Sequence, residues 1–196
     1  MKKALKQLEE LKKHSLPLKL AAEWNEPWQI LISTILSART RDEKTIAVSE
    51  ELYKKYNKVN NLANAKLNDV KKIIRPVNYC KTKSKHIISC AKILVKKYNY
   101  NPPHNFDELL KLPGVGRKTA NVFLSEIGYD AIAVDTHVAK LSQKLGWTTN
   151  KKPEKIEEDL KKLFPEYTWS NVNEILVRFG RSVRGKKQDE IIKKVK

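Results

Sequence analysis

The chain has 196 residues, enough to bury one substantial core or two smaller lobes. Lys and Arg number 40 against 22 Asp and Glu, a formal charge of +18, which favours a polyanion or an anionic surface as partner. No apolar run approaches the ~20 residues that cross a bilayer, and Met1-Lys2-Lys3 leads into amphipathic sequence instead of an apolar leader. A soluble intracellular protein with no membrane partner is therefore expected.

The pattern is helical almost throughout. Leu5, Leu8 and Leu11 mark an amphipathic N-terminal helix. Trp28, Leu31, Ile32, Ile35 and Leu36 share a face, and Ile30 makes that helix apolar nearly all round, which predicts a central position. Asp42 reads as a cap for the helix running through Ile46 to Tyr56. Leu67, Val70, Ile73 and Ile74 form the next apolar face, followed by a stripe of Ile87, Cys90, Ala91 and Leu94. Lys81, Lys83 and Lys85 precede that stripe as a charge cluster, which is either a solvated face or a set of phosphate contacts.

Leu109, Leu110 and Leu112 lead into Pro113-Gly114-Val115-Gly116-Arg117-Lys118, and Ala120, Phe123, Leu124 and Ile127 follow at helical spacing. The segment reads as helix, tight hairpin, helix. Pro113 fixes φ, and Gly114 and Gly116 permit backbone angles that a Cβ would forbid. Amides of such a turn, at a helix start, can grip phosphate without reading sequence. Lys118 lies in the first turn of that helix, where the positive dipole end disfavours its charged form. An amine so placed is either a phosphate contact or a nucleophile.

Asp135 precedes a helix carrying Val138, Leu141 and Leu145 and can cap it. Thr136 is read as support for that cap and His137 as a packing residue. Ile156, Leu160, Leu163 and Phe164 form a further face, and Val172, Ile175, Leu176 and Phe179 another. No alternating strand pattern of useful length occurs, so the fold class is all-α. The cysteines, Cys80 and Cys90, form no CxxC or Cys/His cluster. No metal site and no cofactor are expected from them, and Cys90 is most simply a buried small hydrophobe.

The run Leu112 to Ala120, followed by Ala133-Val134-Asp135-Thr136-His137-Val138, closely resembles the endonuclease III branch of the helix-hairpin-helix DNA glycosylases. The likeness extends to Leu31–Asp42 and to Val77–Leu94, and weakens after about residue 146. It implies two helical lobes, a six-helix lobe over 22–132 that carries the hairpin and a second over 1–21 and 133–196, with a DNA-binding cleft between them. It implies Lys118 as the nucleophile of a glycosylase with lyase activity on oxidised pyrimidines, and Asp135 as its electrostatic partner. The same chemistry on 8-oxoguanine or another lesion, or a hairpin used only for anchorage on DNA, are the alternatives.

The family uses side chains from two loops to fill the gap that a flipped base leaves, and those positions fall here on Arg39 and Tyr79, where Gln and Leu are common. Gly114, Gly116, Arg117, Lys81, Lys83 and Lys85 are the expected backbone contacts. The partner implied is double-stranded DNA containing damaged bases or abasic sites, bound by a monomer. Typical members also carry four clustered cysteines after the segment that Phe179-Gly180-Arg181 resembles, whereas Ser182-Val183-Arg184-Gly185-Lys186-Lys187 follows here. The basic tail is then expected to supply backbone charge in place of the cluster loop.

Overall fold

The computed structural model describes residues 1–196, and every regular element in it is helical. The chain forms two compact units, one of Lys19–Ile127 and one of Met1–Leu18 with Gly128–Lys196.

The first unit is built around α2 (Pro27–Ser37). Glu26 and Gln29 start it with a reciprocal capping box, and Pro27 occupies the first turn where its missing N–H costs nothing. Residues 28 and 30–36 are all buried, as the all-round apolar pattern demands. Around it pack α3 (Asp42–Lys55), α6 (Cys80–Lys97) and α8 (Arg117–Glu126). Tyr53 of α3 meets Trp24 and Trp28 edge-on, at centroid distances of 4.8 and 5.2 Å, and donates its hydroxyl to Gln29 O at 2.7 Å. Short helices α4 (Val59–Ala63), α5 (Leu67–Ile73) and α7 (Phe106–Leu110) complete the unit. Seven helices thus stand in this unit where the resemblance implies a six-helix lobe over 22–132; α4, with five residues, is too short for a periodic stripe to show.

The second unit comprises α1 (Lys2–Lys13), α9 (Thr136–Leu145), α10 (Pro153–Leu163), a 3₁₀ turn at Glu166–Thr168, α11 (Trp169–Ser182) and α12 (Gly185–Val195). Helix α11 buries Val172, Ile175, Leu176 and Phe179 and packs on α1 and α9. Gly146, at φ +75°, ends α9 with paired bonds from its own N–H to Gln143 O and from Trp147 N–H to Ser142 O. This is the left-handed glycine cap that a Cβ would penalise. The Trp147 indole N–H donates to Gln7 Oε1 at 2.7 Å, and Gln7 Nε2 reaches Val195 O at 3.3 Å, so α1, α12 and the segment after α9 meet at one buried amide. No helix is long and apolar enough to cross a membrane.

Gln7→Leu leaves the Trp147 indole N–H buried without its acceptor. A loss of about 1–3 kcal/mol is expected for such a group, read as a lower urea midpoint by tryptophan fluorescence; an unchanged midpoint would remove this amide from the unit's support.

Candidate active site and nucleic-acid interface

Asn105 caps α7 by accepting from Glu108 N–H, and Leu109 and Leu112 are buried beneath the turn that follows. Val115 N–H closes the turn onto Leu112 O at 3.1 Å. Gly114 is required twice over. Its φ is +82°, and a Cβ there would stand 3.0 Å from Ile35 Cγ2 of α2 and 3.0 Å from His86 Cβ and Nδ1 of α6. Gly116 differs from expectation. It is the N-cap of α8 in extended geometry, φ −105° and ψ 177°, which any residue adopts, and a Cβ would meet nothing within 4 Å. What it offers is open space beside the backbone.

No side chain caps α8 at that position, since Gly116 has none to offer. Arg117 lays its guanidinium over the Phe106 ring at 5.3 Å. Lys118, second residue of α8, is exposed.

Asp135 belongs to the other unit and is the N-cap of α9. Its Oδ1 accepts from both His137 N–H and Val138 N–H at 2.8 Å. The cap fixes the carboxylate and leaves Oδ2 for another partner, so capping and an electrostatic role are compatible. Thr136 is exposed and adds no bond to the cap. The His137 ring lies against Gly180 of α11, where a Cβ would come within 2.5 Å of Nδ1. Gly180 is therefore a residue that holds the start of α9 in place, and sequence reading used it only as a landmark.

The two loops expected to probe DNA lie together in the first unit. Arg39 and Tyr79 are exposed and both left-handed, at φ 54° and 60°. Such a conformation costs a residue with a Cβ roughly 1–2 kcal/mol. Arg39 Nη1 donates to Tyr79 Oη at 3.1 Å, with the guanidinium carbon 5.9 Å from the ring centroid. Asn78 ties the loops further: its side-chain amide donates to Arg39 O and its backbone N–H to Thr40 Oγ1 at 3.2 Å. Tyr79 is 60% exposed, so it does not close the core.

Lys83 corrects the expected set of phosphate contacts. It is only 5% exposed, and its Nζ donates to Leu36 O and Ala38 O at 2.6 Å and to Thr40 Oγ1 at 3.2 Å. Burial pulls its amine down to about 8. Lys81 and Lys85 stay exposed, because residues two apart on a helix point about 200° apart. Asp42 is also corrected: it is the first residue of α3 and not its cap, and its Oδ2 accepts from Ala21 N–H at 3.2 Å.

The profile of the HhH-GPD superfamily base excision DNA repair proteins matches residues 32–166, so the chain belongs to that superfamily. Endonuclease III of Thermotoga maritima is 46% identical over 160 residues, 81% of this chain and 75% of the relative. Endonuclease III of a Synechocystis species is 38% identical over 82% of this chain and 74% of its own length. A trapped endonuclease III–DNA covalent intermediate superposes with a TM-score of 0.85 at 32% identity, covering 94% of this chain and 88% of that one. The chain is a member of the endonuclease III family and a DNA glycosylase of base excision repair.

An iron–sulfur cluster of the kind the resemblance brings does not fit the residues present. Cys80 and Cys90 lie on one helix, about 15 Å apart along its axis at 1.5 Å per residue. Cys90 is buried, its thiol pushed up to about 12 by desolvation. No group of three or more His, Cys, Asp or Glu side chains converges to hold a metal ion.

Gly114→Ala is expected to cost about 1–3 kcal/mol, the range of an overpacked, strained backbone site. Gly116→Ala is expected to stay within about 0.5 kcal/mol. Thermal unfolding of both variants checks this, and equal losses would contradict the assignment of the two glycines.

Proposed function

We propose that the chain is a bifunctional DNA glycosylase and abasic-site lyase that removes oxidised pyrimidines from duplex DNA, with Lys118 as nucleophile and Asp135 as electrostatic partner. The observation that carries this is the exposed amine of Lys118 beside an uncapped helix start, on a hairpin whose Gly116 leaves the backbone open. Hairpin amides and Arg117 would hold a phosphate, and the amine would then lie within reach of the adjoining sugar. Endonuclease III in the solved relatives is bound to DNA, once covalently, which supports the same partner here.

The chemistry balances with these two groups. The damaged base must first leave the duplex stack. As its N-glycosidic bond breaks, the base departs with the bonding pair and positive charge grows on the deoxyribose, where the Asp135 carboxylate stabilises it. The neutral Lys118 amine bonds to C1′ and loses a proton, and ring opening gives the imine. Loss of a C2′ proton then expels the 3′ phosphate by β-elimination, and water releases the lysine. Both side chains must act on one deoxyribose for this to work. A monomer suffices, since one chain carries both groups.

Arg39 and Tyr79 are proposed to fill the space of the flipped base, the guanidinium donating to the widowed partner base and the ring stacking on its neighbours. Because Gln and Leu are common at these positions, the preference for the base opposite the lesion is proposed to differ from that of typical relatives, and the absent cysteine loop keeps 8-oxoguanine or another lesion as the second substrate reading. Lys81 and Lys85, with Arg184, Lys186 and Lys187 of the exposed tail, supply charge toward the backbone.

Borohydride is expected to trap the wild-type chain on abasic duplex DNA, and Lys118→Gln to abolish the adduct. An adduct that survives that change would remove Lys118 as nucleophile. Asp135→Asn keeps a competent cap, since Asn caps helices as well as Asp does. It is expected to leave DNA affinity within about twofold while slowing base release by about 10²-fold or more, the range seen when one electrostatic stabiliser is lost. Base-release assays on duplexes with thymine glycol, dihydrouracil, uracil and 8-oxoguanine identify the substrate. Release of 8-oxoguanine alone would overturn the pyrimidine assignment.

A further inference from the structure

Lys83 is a cation sealed inside the first unit with no carboxylate opposite it, and the surroundings explain its position. Helix α2 has no basic residue in its last turn and no left-handed glycine after it; Ala38 leaves the helix at φ −54° and ψ 117°. Its terminal carbonyls therefore need donors from elsewhere. Lys83, on α6, delivers them: Leu36 O and Ala38 O lie 2.6 Å from Nζ. The third donor goes to Thr40 Oγ1, which also accepts from Asn78 N–H. Thus one ammonium joins the end of α2, the Arg39 loop and, through Thr40, the Tyr79 loop.

We infer that Lys83 is a positioning residue for damage probing: it pins the Arg39 and Tyr79 loops to the junction of α2 and α6 on which the hairpin rests. The inference builds on the proposed gap-filling role of Arg39 and Tyr79. Three features beyond the contacts themselves support it. An apolar chain of equal length would fill the same space without the cost of burying a charge, so the ammonium's contribution lies in where it holds three oxygens. The loops it tethers contain both left-handed residues at positions 39 and 79, conformations that persist only where neighbours over-determine them. Lys83 also lies one turn after Tyr79 and one turn before His86, and Ile35 adjoins Leu36, so the two residues that clasp Gly114 are next to the two ends of the Lys83 tether.

The test compares borohydride trapping rates on an abasic site in duplex and in single-stranded DNA, since only the duplex has a gap to fill. For Lys83→Met the duplex rate is expected to fall about tenfold or more, because small misplacements far from the chemistry cost up to about 10²-fold, while the single-strand rate holds. The fluorescence of 2-aminopurine opposite the abasic site, which reports disturbance of the partner base on binding, is expected to lose its response in the same variant. Thr40→Val, which removes one acceptor and the link to Asn78 without shrinking the side chain, is expected to shift the duplex-to-single-strand ratio in the same direction by less. It carries the comparison if Lys83→Met does not fold. Equal losses on both substrates, or unchanged rates on both, would overturn the positioning role. A wild-type chain that traps on neither substrate would instead defeat the lyase reading on which this one rests.

Discussion

The hairpin can lie flat on α2 and α6 only because residue 114 has no side chain. Ile35 and His86 approach the position of its missing Cβ to 3.0 Å, and its φ of +82° suits glycine alone. From that contact follow the direction of α8 and the position of Lys118. The same two helices meet again one residue on, where Lys83 closes the end of α2. The hairpin, Lys118 and the Arg39 and Tyr79 loops, to which the proposed function gives the phosphate grip, the nucleophile and the probing of DNA, therefore all hang from one helix junction within Lys19–Ile127.

In the second unit, packing of the residues after α11 holds the last helix in place. Resemblance places four cysteines where this chain has Ser182 onward; the structure instead forms α12, which buries Gln188, Ile191 and Ile192. Gln188 Nε2 donates to Val183 O at 2.6 Å, and Lys144 pairs with Asp189 at the surface. An exposed pair is worth at most about 1 kcal/mol, whereas burying each isoleucine contributes roughly 1.5–3 kcal/mol. Apolar packing on α1 therefore carries this end of the unit, and the charges serve the surface. That surface bears Arg184, Lys186 and Lys187, the basic tail expected to face a polyanion.

Much of this was legible in the sequence, for definite reasons. The apolar stripes of α2, α6, α9 and α11 have the helical period, and the turn chemistry around Pro113 and Gly114 has few alternatives. Residues whose role depends on a second element were not legible. Lys83 sits between Lys81 and Lys85 and reads as one of three solvated charges or phosphate contacts until α2 is laid beside it. Gly180 looks like a residue inside a helix until the His137 ring is seen against it. Gly116 shares a motif with Gly114 yet lacks its steric need, and Asp42 has the chemistry of a cap but bonds back to Ala21. Helix α4 is too short to carry a period.

A double-mutant cycle joining Gly114→Ala and Lys83→Met, read as affinity for duplex DNA bearing a stable abasic-site analogue, probes the shared junction most directly. If both residues hold one platform, their effects are expected to couple by about 0.5–3 kcal/mol, the range for sites with shared partners. Strict additivity would mean that the hairpin and the probing loops are supported independently, and would contradict the junction as their common foundation.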